Sequence, residues 1–138
     1  MKLEAEIIMK LHVKCGRDME VGDDGKGFLR VIPIQGGSFD GMIKGEIIPG
    51  GADWNTSYQN GGAHVYAKYL LRTDDGIYIS VENEGMIKAG EETQIKTTPC
   101  FQVRHDSRYS WLNSGIYAGS LTGGVNEGEV EITFYKMG

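Results

Sequence analysis

Hydrophobic and polar residues alternate along the first part of the chain. Every second position from Leu3 to Val13 is apolar, and the positions between them are mostly charged, with Ile8 as the exception. This period of two is typical of a β-strand that has one face on a core and the other in water. We therefore predict a strand at the N-terminal end, with Ile8 on its outer face.

Seven further apolar runs predict strands, and clusters of glycine separate them. The 138 residues include 21 glycines, which is about twice the average share of roughly 7%. The predicted strands cover residues 27–34, 39–48, 63–73, 77–83, 95–103, 109–121 and 129–136. Short strands with glycine-rich turns are typical of an all-β protein. A single short helical segment is expected at 86–93.

Three dipeptides mark turns between these strands. Asp75-Gly76 joins two strands so closely that we predict a type I′ hairpin, because Asp-Gly tolerates the positive φ that this turn needs at both central positions. Asn60-Gly61 and Asp24-Gly25 predict two further turns.

Eight consecutive antiparallel strands can close into an up-and-down β-barrel, and closure removes the unpaired edges of an open sheet. The interior of such a barrel is filled by side chains or holds one small ligand. Gly41 and Gly45 fall within a predicted strand, where glycine commonly marks a sharp bend or a close approach of another group. We predict a single barrel domain over residues 1–138, with a β-sandwich as the structural alternative.

Composition narrows the function classes. The net charge of −5 and the scattered basic residues argue against a nucleic-acid partner. Glu4 and Glu6 interrupt the segment where a secretory signal would be apolar, so we expect a cytoplasmic protein with no membrane partner. Cys15 and Cys100 stand far apart, which predicts reduced thiols rather than a metal or redox pair. No metal and no cofactor are expected.

Six short motifs occur in order along nearly the whole chain: GGSFDG at 36–41, GGADW at 50–54, YLLRTDDG at 69–76, NEG at 83–85, TTPCF at 97–101 and YSWLN at 109–113. In sequence and spacing they resemble a bacterial and fungal family known as domain of unknown function 3237. The resemblance implies a calycin-like β-barrel that often assembles into oligomers. It implies no general activity.

The segment Gly50-Gly51-Ala52-Asp53-Trp54 is the main candidate for a functional site. The two glycines allow a sharp turn, so we expect Asp53 and Trp54 to point at one place. If aromatic side chains shield Asp53 from water, its pKa rises and the carboxyl group can exchange protons near neutral pH. The alternative is that Asp53 caps the turn by accepting backbone N–H bonds.

Strand parity predicts further side chains in the same lumen. These residues share a strand face with apolar neighbours, and they are Tyr69, Asn83, Phe101, Trp111 and Asn113. Burying an unsatisfied polar group costs about 1–3 kcal/mol, so an amide or phenol here needs a partner or a ligand. For Trp54 and Trp111 the alternative is core packing, and for Asn113 it is a hydrogen bond at a strand end.

Three functions fit these residues. The first is binding of a small, largely apolar or aromatic molecule in the lumen. The second is cofactor-free acid/base catalysis in the same pocket, such as an isomerisation, dehydration or cyclisation, with Asp53 moving the proton. The third is an interaction module with a solid core, in which outward apolar side chains form the contact surface: Ile8, Tyr66, Tyr78 and Tyr117. A homo-oligomer is expected with any of the three.

Overall fold

The computed structural model describes residues 1–93, 95–124 and 127–138, and its regular elements are strands apart from one 3₁₀ turn. The strands are β1 (Ala5–Cys15), β2 (Met19–Asp23), β3 (Phe28–Gly41), β4 (Gly45–Ser57), β5 (Ala63–Thr73), β6 (Tyr78–Ile87), β7 (Ile95–Val103), β8 (Ile116–Gly123) and β9 (Glu129–Met137). The 3₁₀ turn is Ser110–Asn113, between β7 and β8. The described residues contain no helix that is long and apolar enough to cross a membrane.

Eight of these strands close into an antiparallel barrel. From β3 to β9 each strand pairs with the next, β9 pairs with β1, and β1 pairs with β3. The short strand β2 is added at the edge of β3. The predicted all-β, eight-stranded up-and-down barrel is therefore confirmed. The extra strand was missed because its five residues are mostly exposed and show no clear alternation.

Strands β1 and β2 lie end to end along the same side of β3. Cys15 pairs with Ile34 at the end of β1, and Met19 pairs with Val31 at the start of β2. The N–H of Cys15 donates to the carbonyl of Gly128 at 2.7 Å. This bond is made at the end of β1. Strand β2, which follows, pairs only with β3 among the described residues, so the wall of the barrel is open between β2 and the start of β9.

Aromatic and aliphatic side chains fill the opposite end of the barrel. Phe101 contacts Tyr117 and Phe134 edge to face, with ring centroids 5.2 and 5.3 Å apart. Leu71 and Ile79 beside them are fully buried. This end is a packed core, and the open end contains a cavity.

A β-bulge changes the predicted parity of β1. The pairing with β9 shifts register between Ile7 and Met9, so Ile8 turns inward and is fully buried, while Ile7 is 45% exposed. Tyr117 also faces the core, and its hydroxyl donates to backbone carbonyls near the 3₁₀ turn. The prediction that Ile8 and Tyr117 lie on an outer contact surface is wrong, whereas Tyr78 is 54% exposed.

The predicted strand 39–48 is in fact a hairpin, because residues 42–44 separate β3 from β4. Gly41 has a φ of +137°, and a Cβ there would lie 2.9 Å from the Ile8 carbonyl oxygen. A Cβ on Gly45 would lie 2.0 Å from the carbonyl oxygen of Arg72. The predicted close approaches at both glycines are confirmed.

The hairpin at Asp75-Gly76 exists, but its turn is not type I′. Gly76 has a φ of +88°, whereas no described residue other than glycine has positive φ. The Gly76 N–H donates to the Thr73 carbonyl at 2.9 Å, and the Thr73 N–H donates to the Ile77 carbonyl at 2.8 Å. This is a three-residue loop that ends in a left-handed glycine.

The helical segment expected at 86–93 is also absent. Strand β6 continues to Ile87, and hydrogen-bonded turns follow it.

Candidate functional site

The open end of the barrel contains a cavity of about 270 Å³. A cavity of about 150 Å³ lined by Leu, Ile and Phe is large enough to bind benzene, so this one has room for a larger ring compound. Its walls are mostly apolar and include Val13, Ile32, Val65, Ala67 and Ile132. An apolar pocket with a few polar groups is the usual form of a small-molecule site.

Asp53 follows a bulge in β4 and lines this cavity. The pairing of β4 with β5 shifts register between Ile48 and Ala52, and Gly50 within the bulge has a φ of +119°. A Cβ on Gly51 would lie 2.5 Å from the Cβ of Tyr69, so glycine is needed for the two strands to approach this closely. The bulge adds two residues to β4, so the parity of the buried Ile47 is kept and Asp53 lies on the same inner face.

The carboxyl group of Asp53 lies in a partly desolvated position. Burial raises its pKa above the usual range, and the negative charge of Asp18 acts in the same direction. Hydrogen bonds from the Tyr66 backbone N–H, at 3.1 Å, and from Asn55 lower the pKa and offset part of that rise. Asp53 accepts a backbone N–H, as the turn-cap alternative supposed, but the donor belongs to the neighbouring strand.

Asp53 on β4 and Asn83 on β6 lie on either side of a small residue on β5, which pairs with both. Asp53 pairs with Ala67, and Ala67 pairs with Asn83. Two strand spacings separate the Cα atoms of the outer pair by about 10 Å. Because the side chain between them is only a methyl group, the space above Ala67 belongs to the cavity.

Three buried polar atoms that face the cavity have no hydrogen-bond partner among the described residues. They are the hydroxyl of Tyr69, Oδ1 of Asn83 and Oγ1 of Thr97. These residues are only 4%, 3% and 7% exposed. Burial also raises the pKa of Tyr69, so its phenol is protonated and can donate a hydrogen bond. Each unsatisfied group costs about 1–3 kcal/mol, so a bound molecule could stabilise all three.

Other residues around the cavity were missed by the sequence analysis. Cys15 continues the inward parity of Val13, and Thr97 shares the inward face of β7 with Phe101, so alternation could have found both. Asp18 lies in the short connection before β2, where no pattern marks it. Burial and the charges of two aspartates raise the pKa of the Cys15 thiol, so the neutral thiol is favoured.

Trp54 does not face the lumen, so that prediction is wrong. Its side chain is 50% exposed on the outer surface, where it neighbours Val31 and Tyr66 in the sheet. The reason is strand geometry: Asp53 and Trp54 are successive residues of a strand, and their side chains point to opposite faces.

Phe101, Trp111 and Asn113 do not line the cavity either. Phe101 is buried in the packed end. Trp111 packs on the core from the 3₁₀ turn, with the Lys136 ammonium 5.2 Å from its ring centre. Asn113 is exposed and bonds the Val103 backbone N–H and carbonyl at 2.9 and 2.8 Å, which is the strand-end role considered as its alternative. Asp53, Tyr69 and Asn83 are the predicted site residues that the fold brings together.

The described residues contain no group of three or more His, Cys, Asp or Glu side chains placed to hold a metal ion. His12 contacts Glu129 at 3.0 Å and also contacts Glu131, and His64 contacts Glu84 at 2.6 Å.

Two proteins similar to this chain have names or descriptions that state no activity. An uncharacterised protein of Bradyrhizobium diazoefficiens named a UPF0311 protein is 32% identical over 133 residues, which cover 86% of this chain and 87% of the relative. A crystal structure of a beta-barrel like protein from Acinetobacter baumannii covers 100% of this chain and 98% of its own, with a TM-score of 0.86 and 29% identity.

A more distant structure has a different description. It is the crystal structure of an enzyme from Penicillium herquei, which covers 100% of this chain and 96% of its own with a TM-score of 0.77. Its 21% identity supports a shared fold.

The sequence match to a family extends over almost the full length of the barrel. Residues 3–137 match the proteins of unknown function grouped as DUF3237, which confirms the resemblance found in the six motifs. This chain belongs to the DUF3237 family.

Proposed function

We propose that the barrel binds a small, largely apolar molecule in its open end. The observation that carries this proposal is the set of three buried polar atoms without partners, on Tyr69, Asn83 and Thr97, around an otherwise apolar cavity. A folded protein rarely keeps such groups unsatisfied. A ligand with one or two oxygen atoms and an apolar body satisfies them and fills the space.

The same arrangement would hold one molecule in a defined orientation. Tyr69 offers a hydrogen-bond donor, Asn83 an acceptor, and Thr97 either one. The side chains of Ile32 and Val65 supply the apolar contact. Polar groups then fix the orientation of the ligand, and apolar area supplies much of the affinity.

Replacing Asn83 by leucine tests this proposal. The substitution removes the unsatisfied amide and keeps a similar volume, so we expect the free energy of unfolding to rise by about 1 kcal/mol. The affinity for a hydroxylated probe such as 2-phenylethanol should fall about tenfold, because a hydrogen bond is lost. Calorimetric titration and urea unfolding measure the two quantities.

Gln102→Leu is the matched control, because Gln102 is exposed on the outer face of β7. It should change neither quantity appreciably. If Asn83→Leu binds the probe as well as the parent protein does, the cavity is not the binding site.

Acid/base catalysis in the same cavity is a second candidate, favoured by the raised pKa of Asp53. A carboxylate whose pKa lies closer to neutrality is a better proton acceptor. The Tyr69 hydroxyl is a donor that could stabilise negative charge on a substrate oxygen. A structural neighbour with this fold is described as an enzyme, which is compatible with this candidate.

Hydrogen exchange at carbon tests the catalytic candidate. In deuterated water, 2-indanone should exchange its α-hydrogens faster with the protein than without it, and Asp53→Asn should abolish the acceleration. Since the base must be ionised, the rate should rise with pH through the raised pKa of Asp53 and then level off. NMR spectroscopy follows the exchange. An unchanged rate in Asp53→Asn would exclude Asp53 as the base.

A further inference from the structure

The charged residues that line the cavity are all acidic. Asp18, Asp53 and Glu129 contribute carboxylates, whereas the described lining includes no lysine, arginine or histidine. A site of this kind repels carboxylate and phosphate groups and attracts cations.

Two of these three carboxylates have basic partners outside the cavity. Asp18 lies 3.7 Å from the guanidinium of Arg30, and Glu129 lies 3.0 Å from the His12 ring. Asp53 differs from them. Within the described chain it accepts hydrogen bonds from neutral groups and makes no ion pair, and His64 lowers the pKa of Asp53 only from beyond ion-pair distance.

An unpaired carboxylate in a largely apolar cavity is an unfavourable arrangement for the empty protein. Desolvation disfavours the charged form of Asp53, and its neutral hydrogen-bond donors and the more distant His64 offset this only in part. A buried charge is normally paired with an opposite charge. A cation that enters with the ligand would remove this cost, whereas an uncharged ligand would leave it in place.

We propose that the ligand of this cavity is a small amine, whose protonated nitrogen pairs with Asp53 and whose apolar body lies over Ala67 toward the unsatisfied oxygen of Asn83. The proposal rests on the proposed function and names the ligand class for that site. The separation of about 10 Å between the Cα atoms of Asp53 and Asn83 suits a molecule with a cationic group at one end and a hydrogen-bonding group at the other. Tyr69 and Thr97 provide the remaining hydrogen-bond partners at that second end.

Three probes of closely similar skeleton and different charge test this inference: 2-phenylethylamine, 2-phenylethanol and phenylacetate. Calorimetric titration at neutral pH should show the amine binding at least about tenfold more tightly than the alcohol, because a charge-assisted hydrogen bond replaces a neutral one. Phenylacetate should bind more weakly than the alcohol. Added salt should weaken the amine more than the alcohol.

Two variants assign the effect to its residue. Asp53→Asn should remove the preference for the amine and leave the affinity for the alcohol nearly unchanged. Asp40→Asn removes the same charge from an exposed position on β3, so it should keep the preference. An equal preference in Asp53→Asn and the parent protein would overturn the role of Asp53.

The results separate this inference from the proposed function. If the alcohol binds as tightly as the amine, the amine inference is wrong and the lumen remains a ligand site. If none of the three probes binds at millimolar concentration, the inference and the proposed function both fail. Circular dichroism of each variant confirms that it is folded.

Discussion

Filling the cavity from the position of Ala67 should abolish ligand uptake without unfolding the barrel. Ala67 lies between Asp53 and Asn83 in the sheet, and its methyl group lines the cavity. In Ala67→Phe the ring would occupy the space that the ligand needs. We expect the affinity for 2-phenylethanol to fall by at least about a hundredfold, which corresponds to about 2.8 kcal/mol.

The free energy of unfolding of Ala67→Phe should rise or stay unchanged. Filling an existing cavity commonly adds about 0.5–2 kcal/mol to the free energy of unfolding. Urea unfolding measures this quantity, and Ala118→Phe provides the control because Ala118 lies on the outer face of β8, between the buried residues Tyr117 and Gly119. An Ala67→Phe variant that folds and binds like the parent protein would show that the ligand lies elsewhere.

Removing the Phe134 ring should have the largest effect on stability. Phe134 is fully buried and contacts Phe101 edge to face at 5.3 Å. Its truncation in Phe134→Ala leaves a void in the packed end, which typically costs about 3–5 kcal/mol. The aromatic pair accounts for about 0.5–1.5 kcal/mol of such a loss beyond the buried area. Urea unfolding at neutral pH measures it.

Two further variants serve as controls for this prediction. Tyr78→Ala truncates an aromatic side chain that is 54% exposed, so it should change the free energy of unfolding by no more than about 0.5 kcal/mol. If Phe134→Ala does not fold, Phe134→Leu keeps most of the volume and should cost less than about 1.5 kcal/mol. A loss below about 1 kcal/mol in a folded Phe134→Ala would contradict the packed core.

The two ends of the barrel therefore differ in packing. The end that contains Phe101 and Phe134 is filled by interlocking rings and supplies stability. The other end keeps polar groups on Tyr69, Asn83 and Thr97 unsatisfied around an open space. Such groups lower the stability of the empty protein, and functional sites commonly carry this cost.

Strand parity predicted which side chains face inward where the strands are regular. Tyr69 and Asn83 lie on β5 and β6, which pair along their lengths without a bulge, so a period of two in the sequence places both side chains inside. Phe101 on β7 was also placed inside, but at the packed end. Parity determines the face of a side chain, and it gives no information about which end of the barrel is hollow.

Parity failed where the backbone leaves regular geometry. The bulge in β1 exchanges the positions of Ile7 and Ile8. The segment that contains Trp111 and Asn113 forms a 3₁₀ turn instead of a strand. The 3₁₀ turn has no signal in the alternation of apolar and polar residues. The bulge coincides with Ile8, where the alternation breaks, but that break alone does not show which neighbouring side chain turns inward.

The segment around Asp53 contains one successful and one failed prediction from the sequence. The glycines at positions 50 and 51 correctly marked a place where the chain departs from a regular strand. They form a bulge instead of a turn, so the next two side chains alternate and Trp54 lies outside. Asp18 could not be predicted at all, because the connection between β1 and β2 brings it to the cavity.

An NMR titration with 2-phenylethanol tests the central claim most directly, because it reports which side chains the probe reaches. We predict shifts of the Val65 and Ala67 methyl signals and of the Asn83 side-chain amide in the parent protein, and the loss of the Val65 and Asn83 shifts in Ala67→Phe. Shifts confined to the outer face around Trp54, or unchanged cavity signals at a saturating probe concentration, would contradict it.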